Sequence, residues 1–69
     1  MKKDIEIGTT IFDVLNCRNI IIEDIRNSSC SAWCRCEDWD EDIDSFEVMD
    51  TYYQWFTWNE LRDKIRREN

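Results

Sequence analysis

The sequence contains no histidine. That removes imidazole acid–base chemistry, Ser–His and Cys–His dyads, and every zinc site that needs a ring nitrogen. It has no proline and one glycine, Gly8, which excludes a low-complexity or turn-dense scaffold. Bases are scarce. Nine Lys and Arg stand against sixteen Asp and Glu in 69 residues, a formal net charge of −7. A chain this acidic does not grip nucleic acid through a broad basic face, so no direct nucleic-acid binding is expected. No apolar run exceeds the three residues of Ile20-Ile21-Ile22, far short of a bilayer span, and charges interrupt the stretch after Met1-Lys2-Lys3 where a secretory leader needs an apolar core. The expectation is a cytoplasmic protein with no membrane segment.

What is present argues for a folded body. Apolar residues make up 42 % of the chain and nine residues are aromatic, four of them Trp, too many for a disordered acidic tail. The length allows one domain over residues 1–69, in the range where a core alone is marginal and a staple or partner is common. Acidity is concentrated. Residues 37–50 hold eight acids and no base, whereas acids and bases balance over residues 1–36 and nearly balance over 51–69.

Local patterns predict a small α+β domain, a short antiparallel sheet with two helices and a zinc-stabilised cysteine loop. Ile5-Glu6-Ile7 alternates and reads as a strand closed by Gly8. Thr9 or Thr10 is placed to cap a first helix with Ile11, Phe12, Val14 and Leu15 on one face. Asn19 to Ile25 is rich in β-branched residues and reads as a buried strand. Ile43–Val48 and Thr51–Phe56 read as strands of a hairpin turning at Met49-Asp50. Thr57-Trp58-Asn59-Glu60 is a capping box, followed by Leu61 and Ile65 on one face and by Arg62, Lys64, Arg66 and Arg67 where cations suit the helix dipole. A helix is expected over about residues 58–67.

Cys17, Cys30, Cys34 and Cys36 have the spacing C-x12-C-x3-C-x-C. A reducing compartment disfavours a disulfide framework. Four thiolates close a tetrahedral zinc site, which stabilises small domains most, and four protein ligands leave no position open for catalysis. One structural zinc is therefore expected on these four residues, with a turn around Arg35. The alternative is that some of the thiols are small buried hydrophobes.

Glu37-Asp38-Trp39-Asp40-Glu41-Asp42-Ile43-Asp44 is the most unusual segment. In an extended chain Asp38, Asp40, Asp42 and Asp44 form one row of carboxylates. An EF-hand is a poor fit, because Ile43 falls at the glycine position and Met49 where the bidentate Glu belongs when counting from Asp38. The row has the character of a polyanion, with Trp39 as an anchor, and the candidate partner-binding residues are Glu37, Asp38, Trp39, Asp40, Glu41, Asp42 and Asp44. The competing reading is a solvated acidic loop. Among the aromatics, Tyr53 and Trp55 fall on one side of a strand and Tyr52 and Phe56 on the other. One set serves the core, and the other is either exposed as an interface anchor or absorbed into packing.

In size, charge and the Cys17, Cys30, Cys34 and Cys36 set, the chain resembles the small phage-encoded anti-CRISPR proteins, in particular those directed at the type II effector nuclease. The resemblance implies a stoichiometric, non-enzymatic inhibitor that docks on a bacterial RNA-guided nuclease and prevents target DNA being loaded or cut. Two other readings stand beside it. One is a blocker of a different nucleic-acid-binding host protein, and the other is a small assembly protein whose aromatic cluster builds a homo-oligomer.

Overall fold

A computed structural model describes residues 4–39 and 48–68. Four strands, β1 (Thr10–Asp13), β2 (Arg18–Arg26), β3 (Ser31–Trp39) and β4 (Val48–Thr57), form one antiparallel sheet in the order β1-β2-β3-β4. An α-helix, α1 (Trp58–Arg66), follows β4 directly and packs against β1 and β4. It therefore crosses one face of the meander. Among the described residues the result is an α+β domain with one α-helix rather than the two expected.

Alternation builds this sheet. Ile11, Ile20, Ile22, Ala32, Cys34, Cys36 and Phe56 turn inward, and Leu61 of α1 completes the core. Register brings these residues together: Ile11 lies opposite Ile20, Ile20 opposite Cys36, and Cys36 opposite Tyr52. A bulge between Ile22 and Asp24 shifts the pairing so that Ile25 faces the core side opposite Ala32, the local accommodation an extra residue requires. The capping box is formed as expected. The Thr57 hydroxyl accepts from the Glu60 amide, and the Glu60 carboxylate accepts from the Thr57 amide.

Several expectations are corrected. The first helix is absent among the described residues, where Thr10–Asp13 is β1 and residues 14–17 turn. Period-two burial outweighs the capping signal, because Ile11 and Asp13 point inward while Phe12, Val14 and Leu15 remain exposed. Pairing with the isoleucine-rich β2 stabilises the strand, and tertiary context of this kind overrides a weak local preference. Residues 5–7 are not a strand. Gly8 adopts φ 91° in the turn before β1, a left-handed conformation that suits glycine. The loop expected to hold three cysteines is instead β3, with Cys30 at its threshold, and Arg35 lies in extended chain rather than in a turn. Met49 and Asp50 lie within β4 and not at a hairpin turn. The expected strand over Ile43–Val48 falls, apart from Val48, outside the described residues. Among the described residues no helix is long and apolar enough to cross a membrane.

Candidate partner-binding surface

The inner face of the sheet carries a polar cluster at the β1–β2 end. Asp13, 3 % exposed, accepts from Arg18 Nε at 2.8 Å, Lys64 Nζ at 3.0 Å and Asn16 Nδ2 at 3.0 Å. Arg18 also donates to the Tyr52 hydroxyl at 2.8 Å, and that hydroxyl donates to Asp38 Oδ1 at 3.2 Å. The Arg18 guanidinium stands over the Phe56 ring, 5.4 Å from its centroid. Burial pushes the Asp13 carboxyl up, but the donors from Asn16, Arg18 and Lys64 outweigh it and hold the group below its ordinary value. Burial likewise opposes the Arg18 charge, and Tyr52 and Asp13 more than restore it. These contacts tie every strand and the helix into one network. Its chemistry is structural, because Asp13, Arg18 and Lys64 answer one another within the fold.

The cysteines do not converge. Cys17 sits in the β1–β2 turn, and its carbonyl accepts from the Trp39 amide at 3.0 Å. The carbonyl of Cys30, at the far end of β2, accepts from the Trp58 amide at 2.9 Å. The nine-residue strand β2 separates them, a span of about 26 Å at the usual rise per residue. A four-thiolate zinc requires every sulfur within about 2.3 Å of the metal, so a single ion on Cys17, Cys30, Cys34 and Cys36 does not fit this arrangement. No three of the described cysteine and carboxylate residues are grouped to hold a metal. Cys34 and Cys36 lie side by side in the core, both fully buried. Burial, with the neighbouring Cys36 and Glu23 adding to it, pushes the Cys34 thiol up to about 12, and burial raises Cys36 as well. Thiols so protonated behave as small apolar side chains.

The acidic segment begins on the sheet. Glu37, Asp38 and Trp39 are the last residues of β3, whereas Asp40, Glu41, Asp42 and Asp44 lie outside the described residues. Asp38 turns toward the core side and meets Tyr52, so it belongs in part to the inner network. Glu37 turns outward and pairs with Arg35 at 3.7 Å. One row crosses all four strands, with Asp13 opposite Arg18, Arg18 opposite Asp38, and Asp38 opposite Asp50. It holds three acids and one base, and that base is engaged by Asp13.

The outer face of the sheet is aromatic. Trp33 of β3 stacks on Tyr53 of β4 with ring centroids 5.8 Å apart and planes at 12°, and it meets Trp55 at 5.1 Å. Tyr53 is 51 % exposed and Trp55 42 %. Arg26 lies over the Trp55 ring at 5.0 Å, and Arg35 pairs with Glu23 at 3.3 Å. The division expected from sequence therefore holds, with Tyr52 and Phe56 inward and Tyr53 and Trp55 outward. Trp33, Arg26 and the Asp13–Arg18–Lys64 cluster were missed by sequence reasoning. The alternation of Ala32, Cys34 and Cys36 around Trp33 was a signal that could have found the first.

Compared with family models, with curated proteins and with solved structures, the chain matches none.

Proposed function

We propose that this protein is a stoichiometric inhibitor of a bacterial RNA-guided nuclease, docking on a basic nucleic-acid-binding surface through the acidic segment that joins β3 to β4. The observation that carries this reading is the Asp38–Asp50 pair. Like charges directly opposite one another weaken a strand pair, and the cation in their row is occupied by Asp13. A basic surface brought against this end of the sheet relieves that repulsion, and the sequence of residues 37–50 holds eight acids and no base. RNA-guided nucleases hold their guide–target duplex in a positively charged channel that reads backbone rather than base identity. An acidic strip competes for such a surface without turnover, and attraction of this kind weakens with salt.

The test is titration of the purified protein into purified guide-loaded nucleases, alongside other nucleic-acid-binding defence proteins, with DNA binding and cleavage read at low and high salt. Inhibition that saturates at a fixed stoichiometry and weakens with salt is expected. Replacing Asp38 and Asp50 by Asn should weaken it further. The reading fails if no RNA-guided nuclease is inhibited at low salt. Inhibition confined to a different DNA-binding protein in the panel assigns the same surface to that partner class instead.

A further inference from the structure

Strand β4 borders the sheet, with β3 as its strand neighbour among the described residues. In a chain of net charge −7, the seven residues Thr51-Tyr52-Tyr53-Gln54-Trp55-Phe56-Thr57 carry no charge and no proline. Proteins ordinarily blunt a long edge strand with lysine, proline or a covering element, because it otherwise accepts another strand. Among the described residues this edge is left without those devices.

Its sequence is also a palindrome by chemical type. Threonine stands at each end, two aromatics lie on either side, and Gln54 is at the centre. An antiparallel pairing of two such strands about a two-fold axis through Gln54 sets Tyr53 against Trp55 of the second copy, Tyr52 against Phe56, and Thr51 against Thr57. The backbone allows this register. The Trp58 amide donates to the Cys30 carbonyl at 2.9 Å, and the regular pairs Ser31–Thr57 and Ala32–Phe56 continue from there. In an alternating ladder, residues 52, 54 and 56 therefore turn their backbone groups toward β3, and residues 51, 53, 55 and 57 turn theirs away. A two-fold pairing in that phase must pass through a residue rather than between two, and the palindrome meets that condition. Asp50 Oδ1 holds the Thr51 amide at 3.0 Å and Glu60 Oε1 the Thr57 amide at 3.4 Å. Those contacts bound the open stretch to Tyr53 and Trp55 at its middle.

We propose that two copies of this chain pair antiparallel along β4, about a two-fold axis through Gln54, into one continuous eight-stranded sheet. Charge favours this orientation. It holds the two Asp50 ends roughly 26 Å apart along the ribbon, well beyond the distance over which exposed charges act at physiological salt. It also joins the outer Trp33, Tyr53 and Trp55 of both copies into one aromatic strip and leaves an acidic end free at each pole.

Sedimentation or light scattering across a concentration series should give a mass approaching twice the 8.5 kDa of the chain. Gln54 is exposed, so Gln54→Lys leaves each copy folded, as circular dichroism would verify. It sets two ammonium groups face to face at the axis and should weaken the dimer at least tenfold. In a Cys17→Ser, Cys30→Ser background, mild oxidation should convert Gln54→Cys into a disulfide-linked dimer, because opposed residues at that point lie within bridging range. Thr51→Cys, whose copies lie about 20 Å apart in this register, should not cross-link. A mass of one chain at every concentration overturns the proposal, whether the edge then stays open or takes a strand from another protein. Cross-linking of Gln54→Cys no faster than of Thr51→Cys overturns it as well. Both readouts use the isolated protein, so their failure is distinguishable from failure of the inhibitor reading.

Discussion

The two faces of the sheet treat the same residue types in opposite ways. On the inner face, Asp13, Arg18 and Lys64 are drawn into contact and neutralise one another beside Phe56 and Leu61. On the outer face, Arg26 and Arg35 stay at the surface and two large aromatics remain more than two-fifths exposed. A chain this short has little core to spare, yet it leaves Tyr53 and Trp55 outside. The difference teaches which residues the fold consumes and which it leaves available. Buried charge and apolar packing are concentrated on the helix side, whereas the aromatic side leaves Tyr53 and Trp55 exposed to solvent.

Neighbouring positions on β4 give the sharpest way to break that comparison. Phe56 is 2 % exposed in the core, whereas Trp55 is 42 % exposed on the other face. Phe56→Ala should cost about 3–5 kcal/mol, a large part of a small domain's stability. Trp55→Ala should cost no more than about 1.5 kcal/mol through the lost ring contacts. Urea denaturation of both variants measures the contrast, and equal losses would show that the outer aromatics also belong to the core.

The buried carboxylate comes next. Asp13→Ala leaves Arg18 and Lys64 facing each other without their shared partner, and breaking a buried ionic contact of this kind costs about 3 kcal/mol or more. The sign of the pH dependence follows from the lowered Asp13 value. A carboxyl depressed in the folded state contributes stability that is fully present above its unfolded value of 3.8 and is lost as pH falls through the folded one. Melting temperature should therefore drop below about pH 4, and the drop should be shallower in Asp13→Asn. An identical acid profile in that variant would remove Asp13 as its source.

Cys34 gives the opposite sign. Its thiol is raised in the folded state from 9.0 to about 12, so its contribution is complete below pH 9 and is lost as pH rises toward 12, where the unfolded chain ionises first. Stability should fall by up to about 1.4 kcal/mol per pH unit in that range, with Cys36 acting in the same direction. Cys34→Ala should flatten the alkaline limb, and a thiol reagent should modify exposed Cys30 long before Cys34. An alkaline limb unchanged in Cys34→Ala would show that other groups govern it.

How much of this was legible in sequence depended on the range of the interactions involved. The capping box at Thr57 and Glu60 is a local pattern, and α1 begins where it says. Asn19–Ile25 carried its strand identity in its branched side chains, and the sorting of Tyr52 and Phe56 from Tyr53 and Trp55 followed from the period of any strand. Ile11–Leu15 misled because apolar residues at those spacings also make a helical face, and only pairing with β2 separates the alternatives. The cysteines misled for a related reason. Spacing along a chain reports on convergence only when the intervening segment turns, and Cys34-Arg35-Cys36 lies in extended chain instead. Asp13 carried no local sign of its burial, because its partner Lys64 is 51 residues away.

The smallest expected effect bears on the cysteines' role, and it is diagnostic by its sign. Cys30 has φ 49° and ψ 49°, in the left-handed region, and is exposed. A side chain there costs roughly 1–2 kcal/mol relative to an ordinary backbone conformation, and glycine avoids that cost while losing part of the gain to its freer unfolded chain. Cys30→Gly should therefore stabilise the protein by a few tenths to about 1 kcal/mol. A thiolate ligand at this position would make the same substitution strongly destabilising and the unsubstituted protein sensitive to chelator. Thermal melts of the two proteins with and without a zinc chelator decide between them. A higher melting temperature for Cys30→Gly that is indifferent to chelator leaves Cys34 and Cys36 as packing residues beneath the sheet, whereas a lower one restores a metal centre that this arrangement of strands does not assemble.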